Sequence, residues 1–195
     1  MKGKEFVKKI LKGERDFSRI ELERGFDLVG YEGFAELQRI IRNEREFDPA
    51  AHQQSSLILD SSKLVNLKAD GIYLPNARGD KADFQGSSFK KACLEYGEFF
   101  KGNFRQTNLE EANLQNASLR CAQFYGACLT AANVSGTNFE MANFEVADIR
   151  GIRNLEHAEY IEWASFNSTK VTRTERKILE KRLLKNFDHL FDSRN

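Results

Sequence analysis

The chain has 195 residues, 30 basic and 29 acidic side chains and 41% hydrophobic residues, for a net charge of +1. That length suits one elongated domain with closed ends. No run of 18 apolar residues occurs, so no membrane-spanning helix is expected.

Near the N-terminus, Phe6, Val7, Ile10 and Leu11 fall on one helical face and predict a short amphipathic helix over residues 4 to 12. Glu5, Lys8 and Lys9 interrupt any signal-peptide core, and three cysteines that form no disulfide framework suit a cytoplasmic protein. Phe17 and Leu22, five apart, suggest a first strand pair, and Gly25 to Gly33 breaks the pattern. Phe34, Leu37, Ile40 and Ile41 predict a second helix from about Glu32 to Glu46, ended by Asp48-Pro49 because a residue before proline leaves the helical region. It is expected on a flank or on the N-terminal end.

A period of five then governs the chain. Large apolar residues recur at Phe84, Phe89, Leu94, Phe99, Phe104, Leu109, Leu114, Leu119, Phe124, Leu129, Val134, Phe139, Phe144 and Ile149. Two residues before each stands a small one, from Ala82 to Ala147. Five is neither the helix period of 3.6 nor the strand period of 2. A chain that turns a corner every five residues makes a four-sided coil of 20, stacked at roughly 4.8 Å per turn. The large and small residues point inward and the other three outward. One inward column then stacks Phe84, Phe104, Phe124 and Phe144, and the bore is packed solid. Upstream the period weakens at Leu59, Leu64, Ala69 and Leu74. Ala69 and Gly79 are undersized and Leu67 and Ile72 oversized for their positions, so an irregular coil is expected there, with Pro75 in a loop or on an edge.

Ala82-Asp83-Phe84, Ala112-Asn113-Leu114, Ala142-Asn143-Phe144 and Ala147-Asp148-Ile149 match the pattern A-[DN]-[LF]-x-x. Over about residues 57 to 151 the chain resembles the pentapeptide-repeat family. Gly13 to Ser18 resembles the lead-in of cyanobacterial members. The resemblance implies a β-solenoid, a right-handed quadrilateral β-helix of pentapeptide repeats with flanking capping α-helices. It implies little about activity, although some cyanobacterial members are linked to regulating cell differentiation.

Past Ile152 the pattern breaks, and Tyr160, Trp163 and Phe166 follow without register. From Thr172 a third helix places Ile178, Leu179, Leu183, Leu184, Phe187, Leu190 and Phe191 on one face. Open solenoid ends need covering, so this helix reads as a cap, with His157 and Trp163 beside it; a dimerising helix and a basic membrane-surface helix are the alternatives. The expected division is residues 1–56 as an N-terminal helical cap region with a first strand pair, 57–151 as the β-helix, and 152–195 as the C-terminal cap.

The residues do not point to an enzyme. A filled bore offers no pocket, and no phosphate loop, zinc spacing or nucleophile elbow occurs. Cys93, Cys121 and Cys128 all face outward and none stacks on another; His52, His157 and His189 are scattered. No catalytic, cofactor or metal site is expected. The outward column Asn103, Gln123 and Asn143 reads as a ladder of amides between coils.

The better functional signal is outward aromatics: Tyr96, Phe100 and Tyr125, with Met141 further down the side of Phe100, form a candidate interaction surface. The N-terminal segment or second helix folding over them is the competing reading. The leading functional expectation is a non-enzymatic protein–protein interaction scaffold or regulator with an unknown protein partner. A monomer is favoured over a dimer through the C-terminal end.

The alternative that the resemblance supplies is a DNA mimic that binds a type II topoisomerase (gyrase). Residues 57 to 166 carry 11 basic against 14 acidic side chains, and residues 167 to 195 carry 8 against 4. A solenoid at only −3 does not provide the enveloping negative field that mimicry requires. Binding of nucleic acid or membrane is not expected.

Overall fold

In the computed structural model the described residues are 1–47 and 57–191, with side chains described within 1–42 and 57–183. The chain is a repeat β-helix. Single parallel bridges join residues 20 apart, as in Asp83–Asn103–Gln123–Asn143, and four such columns run along the molecule. We call the side of Phe84 the first, and those of Phe89, Leu94 and Phe99 the second, third and fourth.

Each side works the same way. The central residue donates its N–H up to the next coil, and the residue before it donates down. Phe104 N–H reaches Gln123 O at 2.8 Å, and Gln123 N–H reaches Gly102 O at 3.0 Å. A tight turn follows, closed for example by Ala147 N–H to Phe144 O at 2.9 Å. The residue two beyond each central one has φ between 56 and 69° from Ser61 to Gly151. That left-handed position is what turns the corner. That conformation favours glycine; this chain also places Lys, Tyr, Met and Val146 at it.

The five-residue alternation of burial follows the expected register. Phe84, Phe104, Phe124 and Phe144 stack with ring centroids 5.0, 5.3 and 4.9 Å apart. Hydroxyls at the small inward sites return their hydrogen to the coil below, as Thr107 Oγ1 does to Phe84 O at 3.0 Å. At the N-terminal end the bore narrows to an apolar void of about 20 Å³ beside Phe6, Leu37 and Leu57.

The outward Asn and Asp residues have a backbone role. The ladder uses no N–H from the first corner residue, and the side chain just before the central residue accepts it. Asn143 Oδ1 takes Glu145 N–H at 2.8 Å, and Asn108 Oδ1 takes Glu110 N–H at 2.9 Å. Where that position holds Arg78, Ser88 or Glu98, an aspartate one coil below accepts instead: Asp60 takes Asp80 N–H, Asp70 takes Lys90 N–H, and Asp80 takes Phe100 N–H. Amide ladders between coils occur at Asn133–Asn113 and at Asn103–Asp83, at 3.1 and 2.8 Å. The expected ladder through Gln123 is not made, because its amide turns to Cys121 O.

Three stretches differ from the sequence expectation. The coil from Leu59 to Gly79 is regular, with Lys68, Tyr73 and Arg78 bridged to Ser88, Cys93 and Glu98. Its sizes compensate: Leu67 is buried beside Ala69, and a Cβ on Gly79 would stand 3.0 Å from the Phe99 ring. Large and small residues have exchanged places, which conserves inward volume.

The ladder takes in the strand pair expected at Phe17 and Leu22 and runs one side further, since Asp16, Glu21 and Asp27 pair with Ile58, Lys63 and Lys68. One extra residue before Asp27 carries the pattern past Gly25. It ends later, too. Arg153, Glu159, Ser165 and Lys170 pair with Asn133, Asn138, Asn143 and Asp148, so the offset grows from 20 to 22. Two 3-10 turns, Leu155–His157 and Ile161–Trp163, sit at the corners that absorb the extra residues. Phe166 is therefore in register, its ring stacked on Phe144 at 5.1 Å. The ladder thus crosses both boundaries, at 56 and at 151, that the sequence suggests.

Helices meet the ends. Helix α1 (Gly3–Leu11) buries Phe6, Val7 and Ile10, with Phe6 edge-on to Phe17 at 4.7 Å. The first coil has no third side. Helix α2 (Phe34–Phe47) stands there instead, with Leu37 buried. Gln38 Oε1 accepts Tyr73 N–H at 2.9 Å, and its Nε2 donates to Gly71 O at 3.1 Å. Arg42 lies 4.7 Å over the Tyr73 ring. Asp48-Pro49, expected to stop this helix, lies outside the described residues.

Helix α3 (Arg173–Phe191) is fastened by two residues. Glu175 is 4% exposed and accepts from Thr172 N–H and hydroxyl, a capping box, and from Gly151 N–H. Arg182 donates to Glu156 O and Ala158 O, both at 3.1 Å, and to Glu162 at 2.9 Å. Leu179 is buried, and Ile178 and Leu183 pack partly buried against the core. Leu184, Phe187, Leu190 and Phe191 lie beyond the described side chains.

Three outcomes follow in denaturation experiments. Phe124→Ala costs about 3–5 kcal/mol because neighbouring coils hold the gap open, whereas Gln123→Ala costs under about 0.5 kcal/mol; equal losses would refute the register. Val146→Gly raises stability by roughly 0.5–1 kcal/mol, since a β-branched residue at φ 61° is strained; a loss would mean the turn carries no strain.

Burial pushes the Glu175 carboxyl up, but the hydrogen bonds from Thr172 and Gly151 outweigh it and hold it below its ordinary 4.5. A depressed folded value means stability that is present above about pH 4.5 and lost as pH falls through the folded value. Acid unfolding of Glu175→Gln, compared with wild type, should lack that component; an identical acid limb would disprove it.

Candidate interaction surface

The outward candidates stand on turns whose backbone is pinned by the ladder. Tyr96 and Met141 occupy the left-handed corner position, and Phe100 and Tyr125 the position before it. The register divides them among three corners. Phe100 and Met141 lie on the corner between the fourth and first sides, two coils apart. Tyr125 lies on the corner between the first and second sides. Tyr96 lies across the fourth side from Phe100.

Tyr96, Tyr125 and Met141 are 48%, 42% and 65% exposed. Neither α1 nor α2 covers them, because both helices pack at the N-terminal end. Phe100 is different: it is half-buried, and the Lys101 ammonium sits 4.9 Å over its ring. It keeps the outward register expected of it, with part of its ring covered by this cation–π contact.

Four exposed apolar residues were not among the candidates, of which Val29, 42% exposed, lies apart from the others near the N-terminal end. Val146 is 37% exposed beside the corner of Tyr125. Its position, two beyond Phe144, was readable from the period. Tyr160 and Trp163, 49% and 62% exposed, extend the corner of Met141 into the last coil. Their register was hidden by the inserted residues. The first side is thus flanked on both corners by exposed apolar groups, with the uncharged Asn103, Gln123 and Asn143 between them.

Charges around these groups pair across coils. Lys90 and Glu110 approach to 2.9 Å, Arg120 and Glu140 to 2.7 Å, and Lys91 and Glu111 to 3.7 Å. Among the described residues no group of His, Cys, Asp and Glu is arranged to hold a metal ion, and no helix is long and apolar enough to cross a membrane.

Residues 103–136 match the family model described as pentapeptide repeats, in eight copies. No curated protein matches the chain. Similar solved structures include a pentapeptide repeat protein of the Arabidopsis thaliana thylakoid lumen, 23% identical, covering 62% of this chain and 76% of that one, with a TM-score of 0.32. A trypsin-treated form of QnrB1, a plasmid-mediated fluoroquinolone resistance protein, is 19% identical and covers 65% and 70%, with a TM-score of 0.33. The pentapeptide repeat protein Rfr23 of the cyanobacterium Cyanothece 51142 is 21% identical over 81% of each chain, with a TM-score of 0.29.

Proposed function

We propose that this chain, whose residues 103–136 are pentapeptide repeats, is a non-enzymatic scaffold that binds another protein through the corners flanking its first side. The observation that carries the reading is the set of exposed apolar side chains on fixed turns, led by Met141 and Trp163. Side chains whose backbone is already ordered bind with little further entropy loss, and aromatic and methionine groups dominate interface energetics. The coil is right-handed, as connections between parallel strands nearly always are. Helices α1, α2 and α3 act as its caps. The protein works as a cytoplasmic monomer.

The gyrase reading has less support. Among the described residues cations interrupt the acidic columns, as at Lys90 above Asp70 and below Glu110, which works against a continuous negative field.

The test uses the full chain as bait. A partner captured by wild type should be lost with Tyr125→Ser/Met141→Ser, while the melting curve stays unchanged. A partner retained by that variant would overturn the assignment of the surface. At micromolar concentration the protein should leave gyrase supercoiling unaltered, and clear inhibition would favour mimicry.

A further inference from the structure

On the first side the ladder stops at Ser165, and the groups that would continue it are open. In every earlier coil of that column the central N–H donates upward, as Phe144 N–H does to Ser165 O at 2.8 Å. The small residue's carbonyl accepts from above, as Ala142 O does from Ser165 N–H at 2.9 Å. Phe166 N–H and Ala164 O are the next such pair, and among the described residues neither has a backbone partner. The Phe166 ring ends a stack of five and is half-buried. It borders a groove of about 300 Å³ lined also by Val171, Leu179 and Leu183, with Arg176 and Glu180 on the helix wall.

We propose that this edge takes an extended, acidic peptide segment of a partner, which adds a strand to the first side and lays a large apolar side chain on Phe166. Strand addition gains affinity from main-chain hydrogen bonds and specificity from a pocket for alternate side chains. The edge supplies the first and the groove the second. Helix α3 forms the opposite wall of the groove through Arg176, Leu179, Glu180 and Leu183.

Charge selects the occupant. Over residues 167–183 Lys170, Arg173, Arg176, Lys177 and Lys181 outnumber two carboxylates, Glu175 and Glu180, with Arg182 already committed to Glu162. Glu175 is already committed to Thr172 and Gly151. The inference rests on the reading of the protein as a binding scaffold but uses a different surface, so the two can fail separately.

The probe is a synthetic peptide with the sequence of residues 140–149, which has three acidic and no basic residues around Phe144. Titrated into the ¹⁵N-labelled full chain, it should shift the amides of residues 164–168 and slow hydrogen exchange at Phe166. Affinity should fall at least about tenfold when the peptide's phenylalanine is replaced by alanine. It should also fall when the amide just before that residue's own, the donor to Ala164 O, is N-methylated, and it should weaken as salt is raised. No change at 164–168 under saturating peptide would overturn the proposal. So would equal binding of the N-methylated peptide, or a dimer in sedimentation whose 164–168 amides are protected without peptide. Capture through Tyr125 and Met141 would stand whichever result is found.

Discussion

Each coil of this molecule is placed by the one below it through backbone hydrogen bonds, and from Phe84 to Phe166 through one continuous stack of phenylalanine rings. The two depend on each other. The ladder fixes a spacing that suits offset ring contact, and rings at 4.9 to 5.3 Å fill the bore so that no side can slip relative to its neighbours. A slip of one residue would put Asn103, Gln123 and Asn143 in the core. The tilt between Phe124 and Phe144 is only 7°, and between Phe144 and Phe166 only 3°. The order therefore persists into the last coil even though two residues have been inserted there.

The period made the sides, the inward columns and the corner positions legible without a structure. Tyr96, Tyr125 and Met141 could be placed outward because they lie one or two residues past a central residue. The reason for asparagine and aspartate before the central residue was not legible, because it lies in the corner N–H that those side chains accept. The exchange of sizes at Leu67 and Ala69 looked like irregularity when each position was judged alone. Packing conserves their sum, and so the coil stays regular. At the C-terminal end single-residue insertions hid Phe166, and with it the exposed Tyr160 and Trp163.

The two ends repeat one device. At the N-terminal end the third side is missing from the first coil, and Gln38 of α2 meets the backbone of Gly71 and Tyr73 in its place. At the other end Glu175 of α3 takes Gly151 N–H, and Arg182 takes carbonyls of the last coil. In both, a helix side chain does for the ladder what another turn of chain would have done. On the first side Phe166 N–H and Ala164 O, among the described residues, have no backbone partner. With the bore packed, the exposed corners and the open edge of the first side are the surfaces on which the proposed binding role rests.

The central claim is that one phenylalanine column sets the register from Phe84 to Phe166. Aromatic NOEs on the full chain with labelled phenylalanine measure it directly. The account predicts an unbroken series of ring-to-ring contacts, Phe84 to Phe104, Phe104 to Phe124, Phe124 to Phe144 and Phe144 to Phe166. Phe104 and Phe124 without mutual contact, or Phe166 away from Phe144, would contradict it.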